Sequence, residues 1–153
     1  MDSSSNIYVT GYTGGGLDTN SNLGSDDIIL VKYNSSGTKL WTKQLGTSSA
    51  DEGRGVMVDS SGNIYVTGLT QGALYGTNLG SYDIFLVKYN SSGTNQWTRQ
   101  LSTSSGEEGH GVTVDSSGNI YVVGNTGGDL DNNTNSGLQD VFIIKYADNG
   151  TKQ

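Results

Sequence analysis

Two stretches of this chain set oxygen-bearing side chains at alternate positions ahead of a glycine. They are Asp18-Thr19-Asn20-Ser21-Asn22-Leu23-Gly24 and Asp131-Asn132-Asn133-Thr134-Asn135-Ser136-Gly137. Both read Asp-x-Asn-x-Asn-x-Gly. A short loop offers oxygens in this way to a hard cation, and calcium is the ion that takes about six to eight of them. The candidate ligands are Asp18, Asn20, Asn22, Asp131, Asn133 and Asn135. The EF-hand pattern places its glycine one residue earlier and adds a glutamate later, and neither stretch supplies that glutamate. Asn and Asp also shape loops with no metal, through Asx turns, so a calcium loop and a plain Asx loop are both open readings.

A second constellation occurs twice as well: Asp51-Glu52-Gly53-Arg54-Gly55 and Glu107-Glu108-Gly109-His110-Gly111. Acidic and basic groups at matched, glycine-flanked positions make Asp51, Glu52, Arg54, Glu107, Glu108 and His110 candidates for holding a ligand. The competing reading is a glycine corner with solvated side chains. Catalysis is not expected. His110 is the single histidine, cysteine is absent, and no Gly-x-Ser-x-Gly occurs. The paired carboxylates are sequence neighbours, whereas glycoside hydrolysis needs two carboxyls facing each other across a substrate. The expectation is a non-enzymatic protein with no cofactor, calcium excepted.

The formal net charge is −7, with eight Lys plus Arg among 153 residues. Nucleic-acid binding needs a basic footprint, and anionic membrane surfaces need the same. Neither partner fits. No apolar run approaches the ~20 residues of a membrane-spanning helix, and the opening MDSSSNIYV has neither the basic nor the apolar region of a signal peptide. Glycine is abundant at 24 residues, yet nine Tyr, two Trp and many Ile and Val fall in short, evenly spaced runs. Disordered Gly-rich chains lack those residues; short runs bounded by turn residues indicate an all-β fold.

The elements that would carry these groups repeat. Asn6-Ile-Tyr-Val-Thr-Gly11 recurs as Asn63 to Gly68 and, with one change, as Asn119 to Gly124, at intervals of 57 and 56 residues. The middle copy holds four strand candidates: Gly55 to Asp59 (A), Asn63 to Thr70 (B), Asp83 to Tyr89 (C) and Gln96 to Leu101 (D). Tight turns with glycine in the left-handed position join A to B and C to D, at Gly37, Gly62, Gly93, Gly118 and Gly150. The B–C and D–A links are longer. They share one rim, where eleven of the fifteen acidic residues fall: Asp18, Asp26, Asp27, Asp51, Glu52, Asp83, Glu107, Glu108, Asp129, Asp131 and Asp140. That rim is expected to be a strongly acidic face. Strand C (Ile84-Phe85-Leu86-Val87) is apolar at both parities, so both of its faces need cover. With no helical period anywhere, other sheets must supply it. Four-stranded sheets stacked at this period indicate a β-propeller; a β-solenoid, with its shorter coils, fits less well.

The pattern GVMVDSSGNIYVTG, then DIFLVKYNSSGTNQWTRQL, then an acidic Glu-Gly-x-Gly resembles the bacterial SBBP-type β-propeller repeat, a relative of NHL-type blades. The resemblance covers essentially the whole chain. It implies a propeller segment of about three four-stranded antiparallel blades with incomplete ends. Residues 1-54 would be blade 1 without the innermost strand A, 55-110 a complete blade 2, and 111-153 blade 3 without the outermost strand D. It also implies a bacterial, secreted or surface-attached parent. In a propeller, Arg54 and His110 would stand near the channel mouth, where ligands are often held. Trp41, Trp97, Tyr8, Tyr65 and Tyr121 recur in register, as blade-packing aromatics or as a sugar-stacking platform. Three blades do not close a ring, since propellers need roughly four or more. Each end blade would then bare an apolar face of about eight side chains, ~500 Å², whose cover is worth on the order of 10 kcal/mol. Cover comes from the rest of a longer propeller or from head-to-tail copies, two giving six blades and three giving nine. A binding scaffold is expected, with protein or glycan as ligand. A multivalent lectin-like binder and a calcium-stabilised structural repeat are the alternatives.

Overall fold

The computed structural model describes residues 1–153 as ten strands and no helix. The strands are β1 (Ile7–Thr13), β2 (Asp27–Tyr33), β3 (Lys39–Leu45), β4 (Asp51–Val58), β5 (Ile64–Thr70), β6 (Asp83–Tyr89), β7 (Asn95–Leu101), β8 (Glu107–Val114), β9 (Ile120–Thr126) and β10 (Asp140–Tyr146). They form three antiparallel meanders of three, four and three strands: β1-β2-β3, β4-β5-β6-β7 and β8-β9-β10. The four-stranded unit with incomplete neighbours is the expected arrangement.

Each A–B turn is one hydrogen-bonded unit. The Asp59 carboxylate accepts from the Ser61 and Asn63 backbone N–H groups at 2.9 and 2.8 Å, from the Asn63 amide at 2.8 Å and from the Tyr65 hydroxyl at 3.1 Å. Asp2 and Asp115 do the same for Asn6 and Tyr8, and for Asn119 and Tyr121. This closed set of partners explains why Asp, Asn and Tyr recur together. The five turn glycines named above all adopt positive φ, between 75° and 83°.

Strand A begins earlier than its apolar residues suggest. β4 starts at Asp51 and β8 at Glu107, four residues ahead of Gly55 and Gly111. The intervening glycines let the strand continue. Gly53 pairs with Gly68 and Gly55 with Thr67, leaving Arg54 as the extra residue of a β-bulge; His110 is its counterpart between Gly109 and Gly111. A Cβ on Gly53 would stand 2.3 Å from Thr10 Oγ1, and one on Gly109 2.4 Å from Thr67 Oγ1. Glycine is what lets each inner strand lie directly on the preceding blade.

The core sits between the sheets. One cluster, centred on Ile28, Leu30, Ile64, Val66, Phe85 and Val87, joins the first and second sheets. Another, centred on Tyr65, Ile84, Leu86, Ile120, Val122 and Ile144, joins the second and third. β5 and β6 are therefore buried along their whole length on both faces.

Candidate functional site

The two Glu-Gly corners divide into a buried and an exposed half. Asp51 and Glu107 are fully buried. The Asp51 carboxylate accepts from the Thr47 backbone N–H, from the Thr47 hydroxyl at 2.9 Å and from the Thr70 hydroxyl. Glu107 accepts from the Thr103 backbone N–H at 2.7 Å, from the Thr103 hydroxyl and from the Thr126 hydroxyl at 3.3 Å. Both carboxylates lock the D–A corner onto strand B. Of the six ligand-binding candidates, these two present no surface to a ligand. The physical reason is the early start of strand A, which turns the first acid inward and the second outward.

The outward half forms a charge ladder between blades. Arg54 reaches Glu52 at 3.3 Å within its own blade and pairs with Glu108 of the next. His110 Nε2 lies 3.8 Å from the same Glu108 carboxylate and contacts Asn125 Oδ1. The bulge aims Arg54 and His110 outward, as bulges commonly do. The structure thus brings Glu52, Arg54, Glu108 and His110 together. The guanidinium is already shared by two carboxylates, and no nucleophile stands nearby. This ladder ties neighbouring inner strands and leaves the edges of Arg54 and His110 exposed.

The two Asp-Asn loops are organised around lysines. Asp18 accepts from Lys39 and Thr42, and Asp131 from Lys152. The Asn20 amide donates to the Leu17 carbonyl at 2.7 Å, Asn22 to Gly24, Asn133 to Leu130 at 3.3 Å and Asn135 to Thr126 at 3.0 Å. Asp18, Asp131 and Asn132 have positive φ, the conformation Asn and Asp tolerate, and Thr19 shares it. No group of three or more Asp, Glu, His or Cys side chains is arranged so that it could hold a metal ion.

The acidic rim is weaker than the count of carboxylates implied. Asp27, Asp51, Asp83 and Glu107 are fully buried acceptors within the blades, so four of the eleven rim acids contribute no surface charge. Asp27 takes the Leu23 backbone N–H at 2.9 Å and the Gln44 amide at 2.9 Å; Asp83 takes the Gln100 amide at 2.7 Å. These glutamines escaped the sequence reading. Their signal was the shared Trp-Thr-(Lys/Arg)-Gln-Leu of strand D, read there only for its tryptophan.

On the opposite rim, each blade clasps the next. Lys88 lies over the Tyr65 ring at 5.5 Å and pairs with Asp148 of blade 3. Trp97 Nε1 donates to the Asp148 carbonyl at 3.2 Å and Arg99 Nε to the Gly150 carbonyl at 2.8 Å. The aromatics are part of this packing, Tyr8 on Trp41 at 6.3 Å and Tyr65 on Trp97 at 6.5 Å. The Asn119 amide and backbone hold the Asp115 carboxyl down to about 2, and the Asn6 amide holds Asp2 well below the carboxylate range. Lys88 lowers Asp148 likewise. Groups depressed in the folded state add stability above the unfolded pKa and lose it as pH falls through the folded one. The melting temperature is therefore expected to fall steadily between about pH 4 and pH 2. Melts followed by circular dichroism would check this; a flat profile over that range would contradict it.

Stacked antiparallel meanders of three and four strands, packed face to face, define blades of a β-propeller. The chain carries β-propeller repeats of the SBBP type: the model of that family, described as a beta-propeller repeat, matches residues 40–76 and 96–131. Among curated proteins, the Regulatory protein FlaEY of Caulobacter vibrioides is 29% identical over 142 residues, covering 85% of this chain and 15% of that protein. An uncharacterized WD repeat-containing protein of Acanthamoeba polyphaga mimivirus is 31% identical over 123 residues, covering 69% of this chain and 9% of its own. The chain spans less than a sixth of the length of either relative.

Proposed function

We propose that this chain is a non-enzymatic scaffold and binding segment that joins further blades through its two outer faces to complete a propeller ring. One comparison within the molecule carries this reading. In the middle blade Ile84 and Leu86 are 2% and 1% exposed, whereas their counterparts in blade 3, Val141 and Ile143, are 87% and 68% exposed. On the other flank Ile64 and Val66 are fully buried, whereas Ile7 and Val9 of blade 1 are 38% and 45% exposed. The residues are of the same kind at the same register; what differs is the presence of a neighbouring blade.

The bared faces are smaller than about eight side chains each. On blade 3 the exposed set is Val123, Val141 and Ile143, and on blade 1 it is Ile7 and Val9. Val31 stays buried within its own blade. At about 2 kcal/mol for each large side chain, covering the blade 3 face is worth on the order of 5 kcal/mol. A head-to-tail copy would bring Ile7 and Val9 against Val141 and Ile143, as Ile120 and Val122 meet Ile84 and Leu86 within the chain. A following blade of a longer propeller would add its own inner strand to the same contact. The exposed edges of Arg54 and His110 are then the groups left for a protein or glycan ligand. The name of the Caulobacter relative, a regulatory protein, is compatible with such a scaffold.

The test is to place charge on the face. Val141→Lys with Ile143→Lys is expected to abolish self-association while leaving the far-ultraviolet spectrum unchanged. A double variant that associates as strongly as the parent chain would contradict the reading.

A further inference from the structure

We propose that the cleft between the turns Asp59-Ser60-Ser61 and Asp115-Ser116-Ser117 is a saccharide site, in which Asp148 and the serine hydroxyls hold the hydroxyl groups of a neutral sugar. The cleft lies on the rim opposite the Arg54 ladder, at the junction of blades 2 and 3, and uses neither of the bared blade faces.

The lining decides the class of ligand. The cleft has a volume of about 670 Å³, within the range of small-molecule sites. Besides the two turns, Met57, Val114 and Asp148 contribute to its walls. No lysine, arginine or aromatic ring lines it, so neither an anion nor a stacked planar ring finds a partner there. A hard cation is no better served, although three carboxylates stand close by. One oxygen of Asp59 accepts from the Ser61 and Asn63 backbone N–H groups, and the other from the Asn63 amide and the Tyr65 hydroxyl. Asp115 is filled in the same way by Ser117, Asn119 and Tyr121. Two bonds to each oxygen use the lone pairs that a carboxylate has to give. What stays open are the hydroxyls of Ser60, Ser61, Ser116 and Ser117, which have no partner in the chain, and one oxygen of Asp148. Hydroxyls both donate and accept, and a sugar presents the same two functions in return.

Asp148 is the residue that repetition does not account for. The corresponding positions of the other two C–D turns hold Ser35 and Ser91. Asp148 Oδ1 accepts from Lys88 and from the Tyr65 hydroxyl at 3.1 Å, and that hydroxyl also lies 3.1 Å from Asp59 Oδ2. Lys88 is buried, whereas the Asp148 side chain is mostly exposed. A buried lysine and a buried tyrosine thus fix a carboxylate at the wall of the cleft and leave its Oδ2 unpartnered. Such an oxygen accepts O–H groups in charge-assisted bonds, which are the stronger kind. Met57 supplies apolar surface for the C–H face of the ring.

The experiment uses the full chain and the methyl glycosides of glucose, galactose and mannose, with binding followed by saturation-transfer NMR, which observes the sugar and so tolerates a self-associated chain. Saturable binding of at least one glycoside is expected. Asp148→Ser, which installs the residue of the other two turns, should weaken it about tenfold, the loss of one charge-assisted hydrogen bond. Ser60→Ala combined with Ser116→Ala should also weaken it several-fold. Those hydroxyls hold nothing in the fold, so this second variant separates loss of the site from loss of structure. No saturable binding of any of the three glycosides, or binding that either variant leaves unchanged, would overturn the inference. The mass of the chain in the same samples is not expected to change with the sugar, so this result and association through Val141 and Ile143 stand or fall separately.

Discussion

Glu107→Ala is expected to lower the folding stability of the chain by about 3 kcal/mol, because it removes the buried carboxylate on which three donors converge. Those donors are the Thr103 backbone N–H and the Thr103 and Thr126 hydroxyls. The Glu107 carboxylate is wholly buried at the D–A corner, so water does not replace it. Asp51→Ala should behave in the same way, since Thr47 and Thr70 present the same groups to it. The neighbouring residue gives the control. Glu108→Ala removes a partly exposed ion pair with Arg54, a kind of contact usually worth under about 1 kcal/mol. Urea denaturation of the three variants against the parent measures the differences. Equal losses for Glu107→Ala and Glu108→Ala would mean that the corner is held by something other than its buried acid.

The second large effect lies in the repeated Asn-Ile-Tyr-Val-x-Gly. A Cβ on Gly68 would stand 1.9 Å from the Glu52 carbonyl oxygen, and one on Gly124 1.8 Å from that of Glu108. Both obstacles are backbone in the bulged inner strand, so neither can rotate away. Gly11 occupies the same motif position in blade 1, which has no inner strand; the nearest atom to its Cβ would be an Ile29 carbon at 3.9 Å. Gly68→Ala and Gly124→Ala should each cost about 3 kcal/mol through overpacking. Gly11→Ala should change stability by less than about 1 kcal/mol and in the stabilising direction, through the less flexible unfolded chain. Thermal and urea unfolding would separate the three. A Gly11→Ala variant as unstable as Gly68→Ala would show that the glycine serves the strand itself and not the inner strand laid over it.

That same glycine shows what the sequence could and could not reveal. Its threefold recurrence marked the repeat, and the two-sided apolar pattern of Ile84 to Val87 pointed to stacked sheets. The limits of strand C were legible to the residue, with Asp83 and Tyr89 set around the apolar run Ile84 to Val87. The start of strand A was not. Asp51-Glu52 looks like loop because charged residues are seldom buried. The burial of Asp51 goes with Thr47 of the same corner and with Thr70 at the end of β5. The alternation in the Asp18 and Asp131 loops left a cation loop and a plain Asx loop both open, and it did not show that those carboxylates pair with Lys39 and Lys152. Nothing in loop spacing reports that a lysine some twenty residues away folds back. Gln44 and Gln100 were hidden for a similar reason. Their partners are the strand C aspartates, and that pairing exists only once strands C and D lie side by side.

The most direct measurement is the mass of the 153-residue chain in solution, by light scattering during size-exclusion chromatography, with circular dichroism on the same fractions. The account predicts folded β structure in species larger than a monomer, because Val141, Ile143, Ile7 and Val9 are the residues that adjoining blades bury elsewhere in the molecule. A folded, monodisperse monomer across the accessible concentration range would contradict it.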